Sequence, residues 1–199
     1  WSSDVCSSDL SAPTLIHPYV LTDQESAESF SVPTGEYWLE EMAAGGWDLT
    51  DVSCVSSSDP TNAFDPKNDG FNLTSGNTIT CTFTNTQRGS VSGIKYEDID
   101  GDGNKNGLES GLSGWTIKLY EQTGNGELAT TVTDSKGEYS FANIVPGNYQ
   151  VCEIVTEAGW TNTDPGVGEA NTACKQISVS AGQNTPADFG NFEQGELKV

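Results

Sequence analysis

The sequence predicts an all-β protein made of tandem β-sandwiches, and three observations carry that prediction. Apolar residues alternate with polar ones over short runs, and no stretch shows the apolar period of a helix. Between these runs lie clusters of Gly, Asn, Asp, Ser and Thr, whose local hydrogen bonding and tolerance of positive φ suit turns. The chain also repeats itself. GEYWLEEMAAGGW (35–47) aligns on GNYQVCEIVTEAGW (147–160) once one residue is allowed before the Gly-Trp. SFSVPTGEY (29–37) matches SFANIVPGNY (140–149), and TFTNTQRG (82–89) matches ADFGNFEQG (187–195). A repeat at this period is one supersecondary unit used more than once.

Length and charge narrow the class. With 199 residues the chain can form one large or two small β-domains. Its formal net charge of −21 argues against nucleic acid and membrane insertion or anionic membrane surfaces as partners, since these need basic or long apolar segments. It suits a soluble surface protein that recruits cations.

The first ten residues, WSSDVCSSDL, read as the translation of a short-read sequencing adapter running into a partial frame, and are set aside as artefact or disordered tail. On this reading the chain is a fragment cut at both ends, and the lack of a leader says nothing about export. Setting Cys6 aside leaves Cys54 and Cys81 in the first half and Cys152 and Cys174 in the second. Cysteines paired within halves of a Ser/Thr/Gly-rich chain predict the disulfides Cys54–Cys81 and Cys152–Cys174, formed in an oxidising compartment. Zinc is not expected: there is no CxxC, and the one histidine, His17, reads as a loop residue.

The elements follow in order. The first unit (11–89) begins midway and lacks its opening strands, while the second (90–193) is complete. Its strands are expected at 90–97, 114–121, 127–134, 138–142, 147–155, 174–180 and 186–192, with turn chemistry at Gly124–Gly126 and Asp134–Gly137. Residues 194–199 match the start of the second unit and read as the start of a third.

The stretch DIDGDGNKNGLE, Asp98 to Glu109, joins the first two of these strands. Asp98, Asp100, Asp102, Asn106 and Glu109 occupy positions one, three, five, nine and twelve of a twelve-residue calcium loop. Gly103 stands at position six, where the turn is sharpest, and Asn104 at seven offers its carbonyl. A hard cation wants six to eight oxygens at roughly 2.3–2.6 Å, which this spacing can gather. The plain alternative is an acidic Asx/Gly turn without metal. Ca²⁺ is the expected cofactor.

Parity along the strands gives a second constellation. Val91, Gly93 and Lys95 point one way, Tyr149, Val151 and Glu153 share a face, and so do Phe189 and Asn191. If these faces meet in the core, Lys95, Glu153 and Asn191 are buried polar residues among apolar ones. The alternative puts Lys95 on the solvent face and Asn191 at a strand end.

GLSGWTIKLY (111–120), TDSKGEYSFANIVPGNYQVCE (133–153), the Gly-Trp after it and the closing FGNF (189–192) resemble prealbumin-like B-type repeats of bacterial surface adhesins, the serine-aspartate-repeat B and Cna-B-like group. GWDLTDVSC (46–54) and TITCTFTNTQRG (78–89) resemble the related SpaA-like domain of pilins. The resemblance implies transthyretin/Ig-like Greek-key β-sandwiches. It also implies a stalk or spacer role beside neighbouring repeats of an exported cell-surface protein, whose host or matrix ligand is held by domains outside this fragment. Several such repeats bind calcium after their first strand. Related domains form a Lys–Asn isopeptide bond, which here would join Lys95 to Asn191 with Glu153 as the acid. Glu41 and Asn85 match Glu153 and Asn191 in the first unit.

Two other functional classes make different demands on the chain. A carbohydrate- or matrix-binding module would use exposed Trp47, Trp115 or Trp160 as a coplanar pair, although each follows a Gly at a strand start, which favours packing. An enzyme is not expected: the sequence has no nucleophile elbow and no catalytic histidine, and Glu40 and Glu41 alternate across a strand.

Overall fold

The computed structural model describes residues 29, 31–41, 44–123, 126–155, 158–166 and 172–195. The adapter-like segment, Cys6, His17, the start of the first unit, Gly124 and residues 196–199 lie outside them. The described residues form strands and turns without a helix, and the chain divides between Thr86 and Gln87 into two compact units.

In the first unit β1 (Gly35–Tyr37) pairs antiparallel with β4 (Phe71–Leu73). A second sheet has β2 (Trp47–Ser56) between β3 (Asp59–Phe64) and β5 (Ile79–Gln87). Tyr37 stacks on Phe71, and Phe64 packs against the same ring.

The second unit is a sandwich of two sheets. One orders β12 (Thr172–Val179), β10 (Gly147–Ile154), β7 (Thr116–Glu121) and β8 (Glu127–Val132). The other orders β11 (Trp160–Asp164), β14 (Phe189–Glu193), β6 (Gly89–Glu97) and β13 (Asn184–Pro186), with β9 (Glu138–Ile144) also on β6. The first strand of the unit, β6, therefore runs beside and parallel to its last, β14.

Both sheets contribute to the core, where Val91, Ile117, Leu119, Tyr139, Phe141, Val151, Val179 and Phe189 are buried together. Burying an aliphatic or phenylalanine side chain of this kind contributes about 1.5–3 kcal/mol. Both expected disulfides are present. Cys152 and Cys174 face each other directly across β10 and β12, whereas Cys54–Cys81 ties β2 to β5. The repeat aligns β2 and β5 with β11 and β14, so the two bridges staple different strand pairs.

Two expectations about strands need correction. The strand β11 was not foreseen, because its inward residue is Asn162 and WTNTD lacks the apolar alternation that marks a half-buried strand. The expected last strand is split into β13 and β14. At the break Asp188 accepts the Ile94 N–H through its side chain at 2.8 Å, replacing a ladder bond, while Ala187 N–H still donates to Ser92 O at 2.9 Å.

Candidate functional site

Lys95 sits in β6 with both backbone groups engaged. Its N–H donates to Gly137 O at 2.8 Å, and its carbonyl accepts the Leu112 N–H at 2.7 Å. Gly137 has φ of 78°, and a Cβ there would collide with the Lys95 carbonyl, so the DSKG turn needs glycine on two counts. This clamp aims the lysine inward, where the side chain is completely buried.

Around the amine the contacts are long. Nζ lies 3.6 Å from Glu153 Oε2, donates to Phe189 O at 3.3 Å and Tyr96 O at 3.4 Å, and stands 4.7 Å from the Trp115 ring centre. Desolvation pushes the Lys95 amine down to about 8, against the opposing pull of Glu153 and the more distant Asp164 and Asp98. Burial raises the Glu153 carboxyl above its ordinary value, partly countered by Lys95 and by the Asn191 and Asn162 amides. Both shifts favour the neutral forms, an amine beside a carboxylic acid.

Asn191 completes the group from β14. Its Nδ2 donates to Glu153 Oε1 at 2.5 Å, and both residues are wholly buried. Glu153 thus touches the amine with one oxygen and the amide with the other. An amine, an acid and a carboxamide held in a dry core have the functional groups that an acyl transfer needs. The inward parity read from the sequence therefore brings these three residues together. Asn162 was not among the expected site residues, and it belongs to the same cluster: its Nδ2 reaches Asn191 Oδ1 at 3.0 Å. The available signal was an asparagine two places after the Gly-Trp, where the first unit has Leu49.

The acidic loop leaves β6 directly after this cluster. Asp98 is buried, and its N–H donates to Asn191 O at 2.8 Å. Asp98 Oδ1 accepts the N–H groups of Gly101 (2.8 Å) and Asp102 (3.1 Å), and Oδ2 that of Gly103 (2.8 Å). Gly103 takes φ of 77°, the sharp turn its loop position requires.

Carboxylate oxygens of Asp98, Asp100 and Asp102 lie within 4.8 Å of one another. Oxygens around one calcium ion stand at most about 5 Å apart, so the three fit a single Ca²⁺. Asn106 Nδ2 bonds Asp100 Oδ2 at 3.1 Å, and Glu109 closes the loop by accepting from Ile99 N and Asn106 N. The Asn104 side chain turns onto the Asp102 carbonyl. Lys105 bonds the backbone oxygen of Glu109 rather than a loop carboxylate.

In the first unit Asn85 Nδ2 donates to Glu41 Oε1 at 2.7 Å, repeating the acid–amide contact. Trp115 is buried and meets Trp160 edge-on, with ring centres 5.6 Å apart and planes at 81°, so these two do not form a coplanar surface pair.

Residues 89–194 match the family model of the SdrD B-like domain. The chain belongs to the SdrD B-like domain family. Residues 12–87 match the model of a prealbumin-like fold domain. Serine-aspartate repeat-containing protein D of Staphylococcus aureus (strain Newman) is 30% identical over 151 residues, which is 75% of this chain and 11% of that protein. Serine-aspartate repeat-containing protein F of Staphylococcus epidermidis (strain ATCC 12228 / FDA PCI 1200) is 31% identical over 170 residues, 82% of this chain and 10% of that one. The chain thus spans about a tenth of the curated relatives it matches. Among solved structures, GBS52, the minor pilin of Streptococcus agalactiae, has 16% identity and a TM-score of 0.42 over 69% of this chain and 66% of its own. The shaft pilin of Lactobacillus rhamnosus GG has 15% identity and a TM-score of 0.40 over 55% and 51%. In this SdrD B-like unit, then, the buried cluster links the first strand to the last, and the acidic loop begins where those strands part.

Proposed function

We propose that the chain is a pair of structural, non-enzymatic stalk repeats from an exported bacterial surface protein, working beside neighbouring repeats outside the cell. The observation that carries this reading is the buried Lys95–Glu153–Asn191 cluster, which joins β6, where the unit begins, to β14, where it ends. Tension on a stalk enters and leaves through those strands. A covalent bond between them carries the load past the rest of the sheet.

Three devices stiffen the unit on this reading. The disulfides lock β2 to β5 and β10 to β12. Calcium bound by Asp98, Asp100, Asp102, Asn106, Glu109 and the Asn104 carbonyl neutralises carboxylates that otherwise repel, and draws the loop into one rigid piece. An isopeptide bond forms when neutral Lys95 displaces ammonia from the Asn191 side chain, with Glu153 as the acid.

The intact mass of the oxidised, denatured chain tests the isopeptide device. The expected value is lower than the disulfide-bonded sequence mass by one ammonia, and tandem mass spectrometry should place the loss at Lys95 and Asn191. A full-length mass that retains the ammonia would remove this device, leaving only the ion and the disulfides. Native mass spectrometry with and without a chelator tests the calcium device by the mass of one bound ion.

A further inference from the structure

The isopeptide reading gives roles to Lys95, Glu153 and Asn191 and none to Asn162. Asn162 is 6% exposed and lies directly opposite Asn191 across the β11–β14 pair. Its Nδ2, with two hydrogens to give, lies 3.0 Å from Asn191 Oδ1 and from Asp164 O, and 3.2 Å from Gly190 O and from Glu153 Oε2. Four oxygen acceptors around one nitrogen fix which end of the amide points inward, since the flipped amide would set oxygen against oxygen. The orientation of Asn191 follows: its oxygen faces the Asn162 donor, and its nitrogen faces Glu153 Oε1.

This divides the work differently from a scheme in which the acid polarises the amide oxygen. Glu153 touches the nitrogen end of the Asn191 amide, so it is placed to move protons. The oxygen end belongs to Asn162. Resting on the isopeptide reading above, we propose that Asn162 is a catalytic residue of bond formation, whose Nδ2–H stabilises the negative charge that develops on Asn191 Oδ1.

The step balances without any co-reactant. The lone pair of neutral Lys95 Nζ adds to Asn191 Cγ, forming the new C–N bond while the carbonyl π pair moves onto Oδ1, against Asn162 Nδ2. Glu153 takes a proton from Nζ at one carboxyl oxygen and gives one to Nδ2 from the other. The electron pair on Oδ1 then returns, the Cγ–Nδ2 bond breaks, and ammonia leaves. A primary amide and an amine become a secondary amide and ammonia, and Glu153 ends as it began. The donor is oriented before the reaction in a dry site, where it acts without solvent reorganisation.

The test compares wild type, Asn162→Ala and Asn162→Leu in the full chain, following ammonia loss by intact mass from the time of synthesis. Loss of one such donor is expected to slow bond formation by about 10²–10³-fold, so both variants should accumulate as folded, unbonded protein. The same Asn162→Ala change in a Lys95→Ala background, where no bond can form, reports through its Tm what packing alone contributes. A wild type that never loses ammonia overturns the isopeptide reading and this proposal with it. A wild type that does, beside an Asn162→Ala variant of native circular dichroism that bonds equally fast, overturns the role of Asn162 alone. Should Asn162→Ala fail to fold, Asn162→Leu keeps the shape and lacks any donor, and its rate decides between the same outcomes.

Discussion

Lys95 shows how a costly residue becomes chemically useful. An ammonium without close partners in an apolar core is expensive, and the free-energy cost is relieved by moving its proton to Glu153. The two groups titrate as a pair, so their apparent values belong to both. Bond formation needs the pair to hold one proton, as neutral amine and neutral acid. At high pH the pair loses that proton and the acid is gone, while at low pH it gains a second and the amine is an ammonium. The rate of ammonia loss should therefore be bell-shaped in pH, falling at both the acid and the alkaline end, as timed intact-mass measurements can check. A rate that rises without an alkaline limb would remove Glu153 as the shuttle. Glu153→Ala should leave a folded unit that retains its ammonia indefinitely, with the remaining Lys95 amine still further below the ordinary lysine value.

The acidic loop and the disulfides act on whole strands. Asp98 does two jobs: its carboxylate satisfies three backbone N–H groups, and its own N–H ties the loop to Asn191. Asp100, exposed, bonds the Asp102 N–H and the Asn106 side chain. The two substitutions should thus separate. Asp100→Ala should abolish the rise in Tm that millimolar calcium gives wild type while changing the chelated protein little. Asp98→Ala should also lower Tm in chelator, since three loop N–H groups lose their carboxylate acceptor, each such bond contributing about 0.5–1.5 kcal/mol. For wild type the calcium effect should approach about 2.7 kcal/mol at a hundredfold excess of ion over Kd, and identical melting in calcium and EDTA would reject the ion. Replacing Cys152 and Cys174 by Ala should cost about 3 kcal/mol, read by denaturant unfolding, because a closed loop of 22 residues is released in the unfolded chain.

At the scale of the molecule the placement of these devices matters more than their number. The parallel pairing of β6 with β14 lays the first strand of the SdrD B-like unit beside its last, with the chain entering and leaving at opposite ends of the pair, so a pull on the chain shears that pair first. On the proposed reading a Lys95–Asn191 bond would lie on the load path, whereas Cys152–Cys174 lies in the other sheet. Pulled from residues 89 and 194 under reducing conditions, the bonded unit should not extend beyond its few terminal residues. Lys95→Ala should lengthen by roughly 300 Å on unfolding, from about 3.3–3.6 Å per residue over the β6 to β14 span. Equal extension of the two proteins in a force spectrometer would show that no bond shields the fold.

Much of this was legible in the chain itself, for reasons that are local. Alternation of period two identified β6, β7 and β10, and the inward parity of Lys95, Glu153 and Asn191 followed from it, because a pleated strand sends every second side chain to the same face. The loop spacing from Asp98 to Glu109 and the pairing of cysteines within halves are likewise properties of short stretches and counts. The tertiary structure alone could decide what depends on which strands become neighbours. It split the last strand at Asp188, whose side chain takes a ladder position that no periodicity announces. It made a strand of WTNTD by setting its polar residue against a polar core site, where the energy comes from hydrogen bonds to Asn191, Glu153 and two carbonyls instead of apolar burial. It also turned the oxygen of Asn191 towards Asn162 and its nitrogen towards Glu153. That choice rests on donors and acceptors from three strands meeting at one point, and no single stretch of sequence contains it.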